Sequence, residues 1–217
     1  MKTLSCVRSS YSFLNSLLSI PQIVSLAKER GYEAIILSDQ EVLYGANEFM
    51  LECQKQGVKP IYSIQCSIGQ DVFFVLAKNN EGFKQLIQLS LILSDDELNI
   101  ETLSKHSTQC IVIYSSENSR IETELLSDNI QGALKTINDL SLYFREFRIG
   151  FSLMESVLFS QKNQQLIQAC QLNNYKTVAL ETAYYPNPED EEMLKIVQAI
   201  DSNVGITDSR LLSQPYH

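Results

Sequence analysis

Four residues early in the chain have the types and spacing that chemistry could use. Ser9, Ser10 and Ser12 cluster after a short β-rich run, and Asp39 follows a second such run. The ends of strands are where α/β folds place reactive groups. A serine nucleophile needs a base held beside it. The chain has 2 histidines, His106 and His217, and neither is near these serines in sequence. His106, within Ser104-Lys105-His106-Ser107, reads as a surface-loop residue, and His217 is the last residue. Metal-assisted hydrolysis needs several His, Asp, Glu or Cys ligands converging on one point. The 5 cysteines, Cys6, Cys53, Cys66, Cys110 and Cys170, show no CxxC pair and read as reduced core thiols. With 8 glycines and neither GxGxxG nor GxxxxGK[ST], no phosphate-cradling loop is expected. The plainest role for Asp39 is to accept backbone amides at the start of the following helix.

The elements that would carry these residues form a recurring unit: a helix, a Gly or Asn stop, then a β-rich run. In the first, Ser19 caps, Pro21 suits the first turn, Ile20, Ile23, Val24 and Ala27 share a face, and Gly31 ends the helix before a strand at 34–37. The second runs over 42–56, stops at Gly57 and leads into a strand at 61–64. The third runs over 161–172, stops at Asn174 and leads into a strand at 177–180. Further strands are predicted at 3–7, 72–76, 110–114 and 148–151, and further helices at 81–93, 130–143 and 188–200. Asn187 and Pro188 mark the start of the last helix. Residues 94–98 read as a solvated turn or helix start. Seven strands alternating with helices predict an α/β fold with mainly parallel strands, a closed barrel ahead of an open doubly wound sheet.

Composition narrows the function classes. The 217 residues are 44% hydrophobic, enough for one barrel-sized domain, and carry a net charge of −9. An acidic surface repels phosphate backbones, so weak or no direct DNA binding is expected. No apolar run reaches the ~20 residues of a membrane span, and the start lacks a signal-peptide core. A cytoplasmic protein with no membrane partner is the expectation.

Several segments, in order, resemble one family. Cys6-Val7-Arg8-Ser9-Ser10-Tyr11-Ser12-Phe13-Leu14-Asn15 resembles the opening motif His-x-His-Ser-x-Tyr-Ser-Leu-Leu-Asp of the PHP domains at the N-terminus of bacterial DNA polymerase III alpha subunits. Similar matches run through Ala34 to Ala46, Gly57 to Gln65, Leu76 to Ser90, and Ala183 to Asp190. Residues 91–159 match weakly. The resemblance implies a distorted (β/α)7 barrel spanning 1–217 as a single domain, excised from the head of a longer polymerase whose catalytic body would follow.

The same resemblance implies a pocket stripped of metal ligands. The opening histidines are replaced by Cys6 and Arg8, and the motif's aspartate by Asn15. Asp39 is retained, but the histidine after it is Gln40. Gln65 stands for a glutamate, Val72 for a histidine, and Thr182 and Tyr184 for a late Asp-x-His pair. Arg8 is placed to pair with Asp39 in lieu of metal charge, and Gln40, Gln65 and Tyr184 to complete a neutral network. The expectation is therefore a non-catalytic domain with no cofactor. It would support polymerase structure and dock the remainder of the subunit and other replisome subunits. The alternative is a metal-dependent phosphoesterase or 3′–5′ proofreading exonuclease with unusual ligands.

Overall fold

The structure is a computed structural model that describes residues 2–95, 98–117, 119–152, 157–180 and 190–207. The chain divides into two compact units, Met1–Tyr62 with Thr182–His217, and Ser63–Glu181.

The first unit opens with β1 (Thr3–Val7), α1 (Ile20–Glu29), β2 (Ala34–Gln40) and α2 (Ala46–Gln56), and near its end carries α8 (Glu191–Ser202). β1 and β2 pair in parallel, with a register shift between Leu4 and Val7. α1 starts where the sequence marks it: the Ser19 N–H donates to Gln22 Oε1 at 3.0 Å, and Pro21 fills the first turn. Its Ile20, Ile23, Val24 and Ala27 pack with Ile35, Leu37, Phe49 and Cys53 into one core. α2 ends on Gly57 at φ 70°, a left-handed position that glycine adopts without penalty. The helix begins at Ala46, four residues later than predicted, because 41–45 form the loop leaving β2.

The second unit holds most of β3 (Lys59–Ile68), then β4 (Asp71–Ala77), α3 (Asn80–Asp95), α4 (Ile100–Lys105), β5 (Cys110–Ser115), α5 (Arg120–Leu126), α6 (Ile130–Ser141), β6 (Phe147–Ser152), α7 (Val157–Leu172) and β7 (Thr177–Leu180). β5, β6 and β7 pair in parallel, whereas β4 is antiparallel to both β3 and β5. The reversal begins at Gly69-Gln70. This two-residue link between Ile68 and Asp71 has Gly69 at φ 59°, and a link that short can only turn the chain back on itself. The recurring helix-then-strand pattern obscured that hairpin in the sequence. Buried Phe73 stacks on Tyr114 at 5.1 Å between ring centres, and Leu86, Leu89, Leu103, Ile121 and Leu125 complete the buried helical faces.

Two short helices, α4 and α5, were not predicted. Each begins on a side-chain cap, Asn99 accepting from the Thr102 N–H and Ser119 from the Glu122 N–H. The predicted helix over 188–200 is described from Glu191. Its expected cap, Asn187, and Pro188 lie outside the described residues. Residues 94 and 95 extend α3, and Leu98 is buried rather than solvated.

Candidate functional site

Asp39 is the penultimate residue of β2 and is 2% exposed. Its partners come from the loop after β1. The Ser9 N–H donates to Oδ1 at 2.7 Å, the Ser9 hydroxyl lies 3.0 Å from Oδ1 and 2.8 Å from Oδ2, and the Ser12 hydroxyl donates to Oδ1 at 2.7 Å. The serine oxygens accept in turn, Ser12 Oγ from the Gln40 N–H at 3.0 Å and Ser9 Oγ from the Tyr11 N–H at 3.2 Å. The Tyr11 hydroxyl donates to Glu48 of α2 at 3.0 Å, and its ring lies so close to Gly45 that a Cβ there would meet it at 2.8 Å. Asp39 thus clamps the β1–α1 loop; it does not cap the following helix, as the sequence had suggested.

The backbone around this clamp is unusual. Cys6, Leu14 and Glu41 all have positive φ, at 57°, 59° and 63°, without being glycine. Left-handed backbone in ordinary residues persists only where surroundings over-determine it, and such residues cluster at functional sites. Further hydrogen bonds hold the loop: Ser10 N–H to Leu18 O at 2.7 Å, Asn15 N–H to Ser12 O at 2.9 Å, and the Ser16 hydroxyl to Arg8 O at 2.8 Å.

Burial dominates the electrostatics of the pocket. Burial raises the Asp39 carboxyl above its ordinary value, while the Ser12 and Ser9 hydrogen bonds and the Arg8 charge pull it back. Burial pushes the Cys6 thiol up to about 12, against the lowering effect of a Ser38 hydrogen bond and the Arg8 charge. Among the described residues, no three His, Cys, Asp or Glu come together as a set able to hold a metal ion.

The other site residues are placed as follows. Asn15 turns its side-chain amide onto Phe13 O of its own loop at 3.1 Å, and Gln40 contributes its backbone N–H to the clamp. Gln65, buried on β3, and Val72, partly buried on β4 in the Ser67–Val72 pair, belong to the second unit. Thr182 and Tyr184 lie outside the described residues, as does His217. His106 ends α4, its Nδ1 lying 3.1 Å from Gln88 Oε1. The sequence reading missed a second buried carboxylate, Asp71, next to Val72. It accepts the Tyr114 hydroxyl at 2.7 Å, the Arg120 N–H at 3.0 Å and Arg120 Nε at 2.7 Å. Ser119-Arg120-Ile121-Glu122 was the available signal: a Ser-x-x-Glu capping pattern that starts α5 and brings Arg120 onto Asp71.

Comparison with known proteins agrees with this architecture. Two solved structures share the fold: an amidohydrolase from Chromobacterium violaceum with bound sulfate and no metal (TM-score 0.59, 9% identity, 88% of this chain and 89% of that one), and a structure from Bifidobacterium adolescentis described as a metal-dependent phosphoesterase (TM-score 0.56, 8% identity, 82% and 86%). Both are barrels of the PHP and amidohydrolase type, so the fold is the α/β (β/α)7 barrel class predicted from sequence. Among sequence relatives, the DNA polymerase III subunit alpha of Bacillus subtilis is 26% identical over 94% of this chain, and that of Streptococcus pyogenes serotype M3 is 25% identical over 93%. This chain spans only 19% and 17% of those two proteins, matching their N-terminal region. A family model, the PHP domain, matches residues 6–156. The chain belongs to the PHP domain family.

Proposed function

We propose that this chain is a non-catalytic PHP domain at the head of a replicative DNA polymerase III alpha subunit, where it supports the polymerase fold and offers a surface to the rest of the subunit and to other replisome proteins. The observation that carries the non-catalytic part is the clamp on Asp39. The carboxylate at the strand end, where a phosphoesterase would hold its ions, is buried and accepts from the Ser9 N–H and from the Ser9 and Ser12 hydroxyls. Metal-assisted phosphodiester cleavage needs ions to activate water and neutralise the phosphate. The cation whose charge acts on Asp39 is the Arg8 guanidinium, which can pair with a phosphate but does not activate a water as a metal ion does. The polymerase part is supported by sequence relatives that match across nearly the whole chain. Among the described residues no helix is long and apolar enough to cross a membrane. A cytoplasmic location and weak or absent DNA binding by the domain alone, at net charge −9, complete the reading.

The test is metal analysis of the purified chain after dialysis, with a 3′–5′ exonuclease assay in manganese, with and without chelator. The expected result is no stoichiometric zinc or manganese and no chelator-sensitive cleavage. A retained metal at one or more ions per chain, with turnover that the chelator abolishes, would establish the phosphoesterase reading instead.

A further inference from the structure

One edge of the second unit carries a charge opposite to that of the chain. The register fixes which residues meet there. β4 runs antiparallel to β5 and ends where β5 begins, with Ala77 opposite Cys110, while β6 and β7 start alongside in parallel. Lys78, just past β4, therefore shares an edge with Arg145, Glu146 and Arg148 around the start of β6 and with Lys176 just before β7. Lys78 Nζ pairs with Glu146 Oε1, and an Arg148 guanidinium nitrogen lies 3.7 Å from Oε2 of the same carboxylate. The Lys78 hydrogen bond holds the Glu146 carboxyl below its ordinary value, and the charges of Lys78, Arg148 and Lys176 add to this against the opposing effect of burial. Glu81, on the helix that leaves this edge, is matched by Lys84 at 2.7 Å. Lys78, Arg145, Arg148 and Lys176 thus face one unmatched carboxylate, a positive surplus in a chain whose net charge is −9.

An aromatic platform borders this surplus. Tyr143 is 42% exposed, and its ring centre lies 6.5 Å from that of Phe144. Phe144 stacks in turn on Phe147, at 5.6 Å with 11° between the planes. The Tyr143 backbone is held at both ends, its N–H donating to Leu140 O at 3.1 Å and its carbonyl accepting from the Ser104 hydroxyl. Tyr143-Phe144-Arg145-Glu146-Phe147-Arg148 therefore interleaves rings with cations. Those are the parts of a contact with a single nucleic-acid strand, in which cations track the phosphates and an exposed ring stacks on a base. A duplex hides its base faces, and an acidic peptide has no base to offer the ring.

We propose that the edge formed by Lys78, Arg145, Arg148 and Lys176, together with the Tyr143 ring, is a contact site for single-stranded nucleic acid. The site needs no metal, so it goes beyond the non-catalytic reading without depending on it. The acidic remainder of the chain keeps the grip weak, in the range of about 10⁻⁴–10⁻⁶ M typical of binding through phosphates alone.

The test is fluorescence anisotropy of a labelled, mixed-sequence single strand of about 12 nucleotides with the 217-residue chain, in chelator so that no metal bridges the two. Neutralising about three phosphates predicts a slope of about −2 in log K against log salt, about a 20-fold loss of affinity between about 50 and 200 mM. Arg145 and Lys176 are exposed, so Arg145→Ala with Lys176→Ala is expected to keep the melting temperature and to flatten the slope to about −0.7. Lys28→Ala with Lys55→Ala, on α1 and α2, is expected to bind within about twofold of wild type. Tyr143→Ala is expected to weaken the ordinary strand about fivefold or more and an abasic strand not at all. A wild-type affinity indifferent to salt, equal losses in the two double variants, or equal effects of Tyr143→Ala on the two strands would overturn the proposal. So would polyglutamate of matched charge competing as well as the strand, which would make the edge a site for acidic peptides. None of these readouts involves the Asp39 pocket, whose metal analysis succeeds or fails separately.

Discussion

Replacing Asp39 in two ways separates a structural clamp from a metal ligand. In Asp39→Ala the Ser9 N–H, the Ser9 hydroxyl and the Ser12 hydroxyl lose their acceptor at a site where Asp39, Ser9 and Ser12 are each at most 2% exposed. A buried donor left unpaired costs about 1–3 kcal/mol. The hydroxyls can rotate toward one another and the backbone N–H cannot, so the total is about 3 kcal/mol, a fall in melting temperature of about 6–12 °C for a domain of this size. Asp39→Asn keeps an acceptor oxygen at the same place and removes the charge. Because burial raises the Asp39 carboxyl above its ordinary 3.8, the folded chain holds this proton more tightly than the unfolded one. Ionisation of Asp39 therefore lowers stability above the raised value, and this loss fades as pH falls toward 3.8. The asparagine variant, already neutral, should lie within about 1 kcal/mol of wild type at pH 7. Urea unfolding of the three proteins at pH 7 and pH 4.5 measures all of this. An alanine variant as stable as wild type, or an asparagine variant as damaged as the alanine one, would show that the serine hydrogen bonds are not what Asp39 is for.

Other perturbations follow from the same geometry. Burial holds the thiols of Cys6 and Cys53 up at about 12 and those of Cys110 and Cys170 at about 11, against 9.0 normally. The native state then keeps protons that the unfolded chain releases, so stability should fall as pH rises above 9, by about 1 kcal/mol per thiol at pH 10; a urea midpoint that stays flat from pH 8 to pH 10 would contradict it. Tyr114→Phe removes one hydrogen bond from Asp71, which keeps Arg120, and should cost about 1–2 kcal/mol in chemical denaturation. Asp71→Ala strands the buried Tyr114 hydroxyl and should cost more, so the reverse order counts against the network. Gly82→Ala drives a Cβ into the Gln109 carbonyl oxygen, with the Ala77 Cα at 3.2 Å, and should lower stability by about 1–3 kcal/mol. An unchanged melting temperature would mean that the backbone there yields freely.

The sequence reveals most where local signals agree. α1 carries a cap, a proline and a four-residue apolar face, and its start is where those signals put it. The β3–β4 hairpin and the reversed β4 were harder to see, since the only cue is Gly69-Gln70 between two runs already assigned to strands. α4 and α5, of 6 and 7 residues, are too short for a clear 3.6-residue period, though Asn99 and Ser119 announce both. The site was legible in outline only. Asp39 could be marked from its place after a strand and Arg8 from the resemblance, but Ser9 and Ser12 read as failed nucleophiles because a sequence shows a hydroxyl without showing which way it donates. Asp71 escaped because its partners, Tyr114 and Arg120, are 43 and 49 residues away, beyond any periodic pattern.

The clamp is also local in the chain. Ser9 and Asp39 are 30 residues apart, and Tyr11 and Glu48 are 37 apart, so the β1–α1 loop, β2 and α2 contain all of its members. The same unit is finished only by residues from Thr182 onward, on the far side of Ser63–Glu181. At ~5–20 residues per second, a ribosome takes roughly 6–24 s to make that intervening stretch. During that interval the serine–aspartate knot can already lock the nascent opening segment, sparing its half-built hydrophobic layer from wandering until the closing helix emerges.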